Sequence, residues 1–293
     1  MNKVTIQIRG LSKTYRKKNA LNPLELEINE GVIGILGPNG AGKSTFMNLL
    51  ATVEKPSHGT ASVYGYPLQG DGTYHIRKIL GYLPQRVHVP GKLSAEEFIN
   101  YAAAMKGIHD DGKRVEEVSR VLSVVNLLER SHDRIKGYSG GMRQRIGIAQ
   151  ALIGKPKLLL FDEPTTGLDP AERLAFRNLI RDLGQESTVL MSTHIVSDLE
   201  STCDQVIIMN QGELCFQGTI EELAAKASGL VWDAVMSTKD AEIWYTQRAV
   251  VAGIREAGGM RLRIISEKRP VAEATEVSPS LEDGYVAVLK GLI

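Results

Sequence analysis

The chain has 293 residues, 43% of them hydrophobic, enough to bury a sizeable core as one large domain or as one domain with an appendix. Its 35 Lys and Arg nearly balance 34 Asp and Glu, and the formal charge of +1 excludes a strong whole-chain attraction to nucleic acid or to an anionic bilayer. Apolar runs such as Leu158–Phe161 and Val206–Met209 fall far short of the roughly 20 residues that span a hydrocarbon core, so no segment is expected to cross a membrane.

From the N-terminus, Val4, Ile6 and Ile8, then Leu24, Leu26 and Ile28, alternate with polar residues and predict an antiparallel β element with one buried face. No apolar leader precedes this pattern, so a secretory signal is not expected and the cytosol is the expected compartment. Val32, Ile33, Ile35 and Leu36 predict a buried strand, followed by a glycine-rich turn and a helix bearing Phe46, Met47, Leu49 and Leu50. From Ser94 to about Gly154 helical periodicity dominates, opened by a capping box of Ser94 and Glu97, in which each residue can satisfy the other's backbone donor. A helical subdomain over about 86–154 is the expectation. Strand signals return at Lys157–Phe161, Thr188–Met191 and Gln205–Met209 with helical stretches between them, as a largely parallel sheet requires. Asn210, Gln211 and Gly212 predict a hairpin turn, and Thr219 with Glu222 a second capping box. After about Ser228 the character changes, with strand patterns at Leu230–Met236 and Met260–Ile265 and a short helix at Ser280–Leu289. The expected division is therefore 1–228 and a small α+β appendix over 229–293. Cys203 and Cys215 have neither metal-knuckle nor CxxC spacing and read as reduced thiols.

Gly37, Pro38, Asn39, Gly40, Ala41, Gly42, Lys43 and Ser44 fit GxxxxGK[ST] between a predicted strand and a predicted helix, the context the motif demands. Glycines let backbone N–H groups wrap a phosphate, and the helix that begins here, continuing through Thr45, turns its positive dipole end to the same anion. Lys43 is expected on the β- and γ-phosphates of ATP and the Ser44 hydroxyl on Mg²⁺. Leu158–Phe161 followed by Asp162 and Glu163 is an apolar strand ending in two acids. Alone, such a pair reads equally well as a solvated strand end. Beside a phosphate loop, Asp162 is expected in the Mg²⁺ shell and Glu163 as the group that orients or deprotonates the attacking water.

With Ser139-Gly140-Gly141-Met142-Arg143-Gln144-Arg145 added, the sequence resembles the nucleotide-binding subunits of ABC transporters, whose signature this heptad matches. The resemblance implies an α/β P-loop NTPase core with an antiparallel β subdomain, an inserted helical signature subdomain and the appendix. It further implies that Ser139, Gly140 and Gly141 of one subunit close over the ATP held by the phosphate loop of another. The family usually has Leu before the serine; here it is Tyr138. Other landmarks follow in family order: Tyr15 matches the aromatic that stacks on adenine, Gln85 the glutamine that touches Mg²⁺ or the attacking water, Asp169 the acid of the loop that crosses the dimer interface, and His194 the histidine that hydrogen-bonds the γ-phosphate. Each of these residues alone would be an ordinary surface, loop or structural side chain.

The appendix, with Ser278-Pro279-Ser280-Leu281-Glu282-Asp283-Gly284-Tyr285, looks like the tail of bacterial exporter-type ATPases whose permease is a separate chain. Ser280 with Asp283 is also a good capping pair. The expected function is ATP hydrolysis that powers substrate translocation through membrane-spanning partners at the cytoplasmic face of the membrane. A second ATPase subunit, identical or homologous, is the other expected partner, and no nucleic acid is expected. Soluble relatives acting on ribosomes or DNA carry paired ATPase domains, long coiled coils or basic surfaces, and the sequence shows none of these. A catalytically silent ATP-binding module is disfavoured by the presence of Glu163 and His194.

Overall fold

Alternating burial organises the first strands, β1 (Val4–Tyr15) and β2 (Lys18–Asn29), which pair antiparallel with Ile6 opposite Ile28 and Ile8 opposite Leu26. The computed structural model describes residues 4–16, 18–247, 249–256 and 258–292. They fall into two compact units, one running to Asp204 and including Met209–Glu213, the other made of Gln205–Ile208 and the chain from Leu214 onward. The change in sequence character after Ser228 lies inside the second unit.

In the first unit, β3 (Val32–Leu36) is buried along its whole length and leads through the glycine-rich loop into α1 (Lys43–Leu50). The pair β4 (His58–Val63) and β5 (Tyr66–Pro67) extends the antiparallel sheet from the other edge of β1. Next come α2 (Gly72–Ile79) and β6 (Leu80–Leu83). The helical stretch contains α3 (Ala95–Met105), α4 (Asp111–Val124) and α5 (Gly140–Ala151), and the Ser94–Glu97 capping box starts α3. Beyond it lie β7 (Leu158–Asp162), α6 (Pro170–Gly184), β8 (Thr188–Thr193) and the short α7 (Ser197–Glu200).

Strands β3, β8, β7 and β6 run parallel in that spatial order. Their buried, nearly all-apolar sequences suit a sheet covered on both faces. Register decides the function of this sheet. Leu36 lies opposite Thr193 and Asp162 opposite Ser192, so the phosphate loop, the two acids and His194 all leave the sheet at the same carboxyl edge, where ligands of parallel sheets bind.

The next strands, β9 (Gln205–Asn210) and β10 (Glu213–Thr219), are joined by Gln211 and Gly212 at φ 51° and 82°, the left-handed pair that a tight hairpin demands. In the second unit, α8 (Ile220–Lys226) starts at the Thr219–Glu222 capping box. A four-stranded antiparallel sheet follows, made of β11 (Val231–Met236), β12 (Val250–Glu256), β13 (Gly259–Ile265) and β14 (Thr275–Glu276) in the order β12–β13–β11–β14. Between β11 and β12 runs α9 (Thr238–Thr246), and α10 (Leu281–Leu289) ends the unit. Leu262, Ile264, Ala234 and Ala274 form the centre of its core, with Trp232 and Trp244 packed against them. Among the described residues no helix is long and apolar enough to cross a membrane.

Candidate functional site

The phosphate loop begins where β3 ends, and its glycines are required sterically. A β-carbon on Gly37 would collide with the Met209 carbonyl, and Gly42 caps α1 at φ 103°, a conformation glycine adopts without penalty. No side chain caps α1 and its first turn holds no acid, so the first-turn N–H groups, with the helix dipole behind them, remain available to an anion. The Lys43 ammonium donates to the carbonyls of Gly37 (2.7 Å) and Pro38 (3.2 Å) and lies 3.7 Å from Glu163 Oε1. Burial lowers the Lys43 pKa, while the nearby Glu163 and Asp162 carboxylates oppose that shift.

At the end of β7, Asp162 Oδ1 accepts a 2.5 Å hydrogen bond from the Ser192 hydroxyl on the neighbouring β8. The backbone N–H of Glu163 donates to the same hydroxyl oxygen (3.0 Å) and to the Ser192 carbonyl (3.2 Å). These bonds hold Glu163 at φ 52°, a left-handed conformation that costs a non-glycine residue on the order of 1 kcal/mol. Its carboxylate is buried, with 4% of the residue exposed, and Oε2 sits 2.8 Å from Nδ1 of the half-exposed His194. Lys43, Glu163 and His194 thus form one connected row across the sheet edge.

Tyr15, from β1, is held at the mouth by two charged neighbours. Its hydroxyl donates to Glu54, while the Lys13 ammonium lies 3.0 Å from the Glu54 carboxylate and 4.9 Å over the tyrosine ring. Burial and the Glu54 hydrogen bond push the Tyr15 pKa up to about 12. A cleft of about 710 Å³ is lined by Tyr15, by residues 39–45, by Gln85 and by Glu163. Gly37 and Pro38 join it through Lys43, Asp162 through Ser192, and His194 through Glu163.

For Mg²⁺, the donor chemistry fits. Ser44 and Gln85 line the cleft with a hydroxyl and an amide, and the Asp162 carboxylate, which receives Ser192 through Oδ1, stands beside Glu163 at its wall. These are hard oxygen donors. No cluster of three or more His, Cys, Asp or Glu suited to a metal occurs among the described residues.

Four expected residues lie elsewhere. Ser139 is exposed and caps α5 by accepting from the Met142 N–H (3.2 Å), with Gly140 and Gly141 in the first turn. Asp169 caps α6 by accepting from the Glu172 N–H (2.8 Å). The two helix starts are neighbours, since a β-carbon on Gly141 would collide with the Glu172 carboxylate. None of the four lines the cleft. Tyr138, beside them, is 2% exposed, and its hydroxyl donates to the Arg130 carbonyl at 2.6 Å.

Lys18, Asn19, Ala20 and Gln211 also line the cleft, and Ser192 joins the two acids; the sequence assigned none of these. Ser192 alone carried a local signal, its place at the end of a strand just before His194.

Comparison with known proteins gives four concordant findings. The family model described as ABC transporter matches residues 21–166. The chain is 37% identical over 250 residues to the uncharacterized ABC transporter ATP-binding protein YxlF of Bacillus subtilis, covering 85% of this chain and 82% of the relative. It is 31% identical to the probable multidrug ABC transporter ATP-binding protein YbhF of Escherichia coli, covering 99% of this chain but only 53% of that protein. Among solved structures, a dimeric ATP-binding cassette in a post-hydrolysis state bound to ADP and Pi superposes with a TM-score of 0.68 at 25% identity, over 73% of this chain and 98% of the cassette.

Proposed function

The chain belongs to the family of ABC transporter ATP-binding proteins, and from that premise we propose that it binds and hydrolyses ATP at the 710 Å³ cleft, as one of two subunits that drive export through separate membrane-spanning permease chains. The observation that carries this reading is the row of Lys43, Glu163 and His194, with Glu163 3.7 Å from the lysine on one side and 2.8 Å from the imidazole on the other.

Phosphoryl transfer to water needs positioning and charge neutralisation more than covalent help. In this reading Lys43 leaves the Gly37 and Pro38 carbonyls for the β- and γ-phosphates, while the first-turn N–H groups of α1 receive phosphate oxygens. Tyr15 stacks on adenine. Ser44, Asp162 and Gln85 would hold Mg²⁺, whose charge neutralises the phosphates. Glu163, buried and fixed by Ser192, orients the attacking water and takes its proton; His194 fixes the far carboxylate oxygen and reaches the γ-phosphate. Ser139, Gly140 and Gly141 lie outside the cleft, and Ser139 and Gly141 of the partner subunit would complete the site. Asp169 lies beside that seam.

The permease docking surface in this reading lies near Gln85 and in the helical subdomain that follows it, roughly 86–137. There a groove of about 360 Å³ is flanked by Tyr82 and Phe98, with the largely exposed Tyr101 and Met105 at its rim. Docking there would seat the subunit on the cytoplasmic face of the membrane. Residues 229–293 form an accessory domain of the same subunit.

ATP turnover by the full chain and by Glu163→Gln tests the proposal. The substitution preserves shape and removes the base, so nucleotide binding should persist while kcat falls by roughly 100-fold or more. Parental turnover in the variant would overturn the assignment of Glu163.

A further inference from the structure

Asp198 is the most deeply buried charge of the first unit, with 0% of the residue exposed, and no step above uses it. Both of its oxygens are engaged. Thr165 Oγ1 donates to Oδ2 at 2.7 Å, and Arg177 Nη2 donates to Oδ1 at 2.8 Å. A carboxylate tolerates such burial only when paired in this way.

Where these three residues sit gives the cluster its meaning. Thr165 lies two residues after Glu163 in the loop that follows β7, and it is itself 1% exposed. Asp198 lies four residues after His194, in α7, and Arg177 lies in α6. Glu163 and His194 already meet at 2.8 Å. The segments Glu163–Thr165 and His194–Asp198 are therefore fastened to each other at both ends, and α6 braces the second fastening.

We propose that Asp198 is a positioning residue for ATP hydrolysis: through Thr165 it keeps the loop that carries Glu163 in register with the segment that carries His194. The proposal rests on the reading of Glu163 and His194 given above. Glu163 occupies a backbone conformation that its own sequence does not favour, at φ 52°, so contacts from outside the loop must hold it there. Ser192 supplies one from β8 and Asp198 the other from α7. An apolar residue at position 198 could fill the space, but it could not fix the direction of the Thr165 hydroxyl. Misplacement of a reacting group by about 1 Å can cost about 100-fold in rate, so a partial loosening should be visible in kcat.

The full chain is tested as Thr165→Val, which keeps the shape and deletes the hydroxyl, as Thr165→Ser, which keeps the hydroxyl, and as Asp198→Asn. Steady-state turnover gives kcat and KM, and calorimetry gives the affinity for ATP. Thr165→Val should lose roughly tenfold in kcat with KM and affinity within about twofold of the parent, Thr165→Ser should retain most of the parental kcat, and Asp198→Asn should follow Thr165→Val. A parental kcat in Thr165→Val, or an equal loss in Thr165→Ser, overturns the positioning role while leaving the proposed function intact. A parent that binds ATP without turning it over overturns the functional reading, and the positioning role falls with it.

Discussion

Lys43 shows how one side chain ties a loop to its own motif. Its ammonium bonds two carbonyls of the loop it belongs to, and its low exposure depresses its pKa against the pull of two carboxylates. Removing it as Lys43→Ala should weaken both ATP affinity and turnover, because the cradle itself loses a charge; calorimetry and kinetics that both match the parent would remove the phosphate-loop assignment. Tyr138 is a residue whose oddity the sequence exposed but could not explain. Its hydroxyl is satisfied by the Arg130 carbonyl eight residues earlier, which anchors the chain just before the Ser139 cap. Tyr138→Phe should leave that carbonyl with the Asp133 N–H alone and cost about 1 kcal/mol in denaturant unfolding. Residues whose roles follow from contiguous motifs, such as Lys43 and Glu163, were legible in the sequence. Ser192, Thr165 and Asp198 were not, because their partners stand about 30 positions away and nothing local marks a buried hydrogen bond.

Capping chemistry was the most legible feature of the elements. The pairs Ser94 and Glu97, Thr219 and Glu222, and Ser280 and Asp283 all close reciprocal boxes at the starts of α3, α8 and α10. Strands with little apolar alternation escaped. In β4 only Ala61 and Val63 are buried, and β12 is exposed from Ala252 to Glu256, so neither carries a period-two pattern. The Ser280 box contains more than its sequence implied. Asp283, 0% exposed, also receives Arg263 through Nε (2.9 Å) and Nη2 (2.6 Å). Burial alone would raise the Asp283 pKa, but the bonds from Arg263 and Ser280 reverse that shift and hold it below the usual carboxylate range. A carboxylate with a depressed pKa contributes stability that is fully present above the unfolded value of about 3.9 and is lost as pH falls through the lower, folded value. Calorimetric unfolding should therefore show this contribution intact at neutral pH and fading only in acid. Asp283→Asn should cost on the order of 2 kcal/mol at pH 7 and flatten the acid dependence. An unchanged acid limb in the variant would assign the effect to other carboxylates.

For the whole molecule, the instructive fact is a separation. The phosphate loop and Glu163 share one cleft, while Ser139, Gly141 and Asp169 gather at the adjacent starts of α5 and α6. If a second subunit supplies the missing half, then Lys43→Ala chains and Ser139→Arg chains should each dimerise poorly with ATP, since every site is damaged. Their mixture should form a nucleotide-dependent dimer in light scattering, because one of its two sites joins an intact loop to an intact signature. A Ser139→Arg chain that dimerises and turns over like the parent would remove the signature from the nucleotide site. The placement of aromatic residues offers one more handle on this molecule. Its two tryptophans, Trp232 and Trp244, both belong to the second unit, whereas every residue lining the cleft belongs to the first. Intrinsic indole emission is therefore a native optical channel whose emitters all stand in the second unit. Any change in that emission when ATP is added would report, without a label, that nucleotide held by first-unit residues alters the surroundings of second-unit side chains.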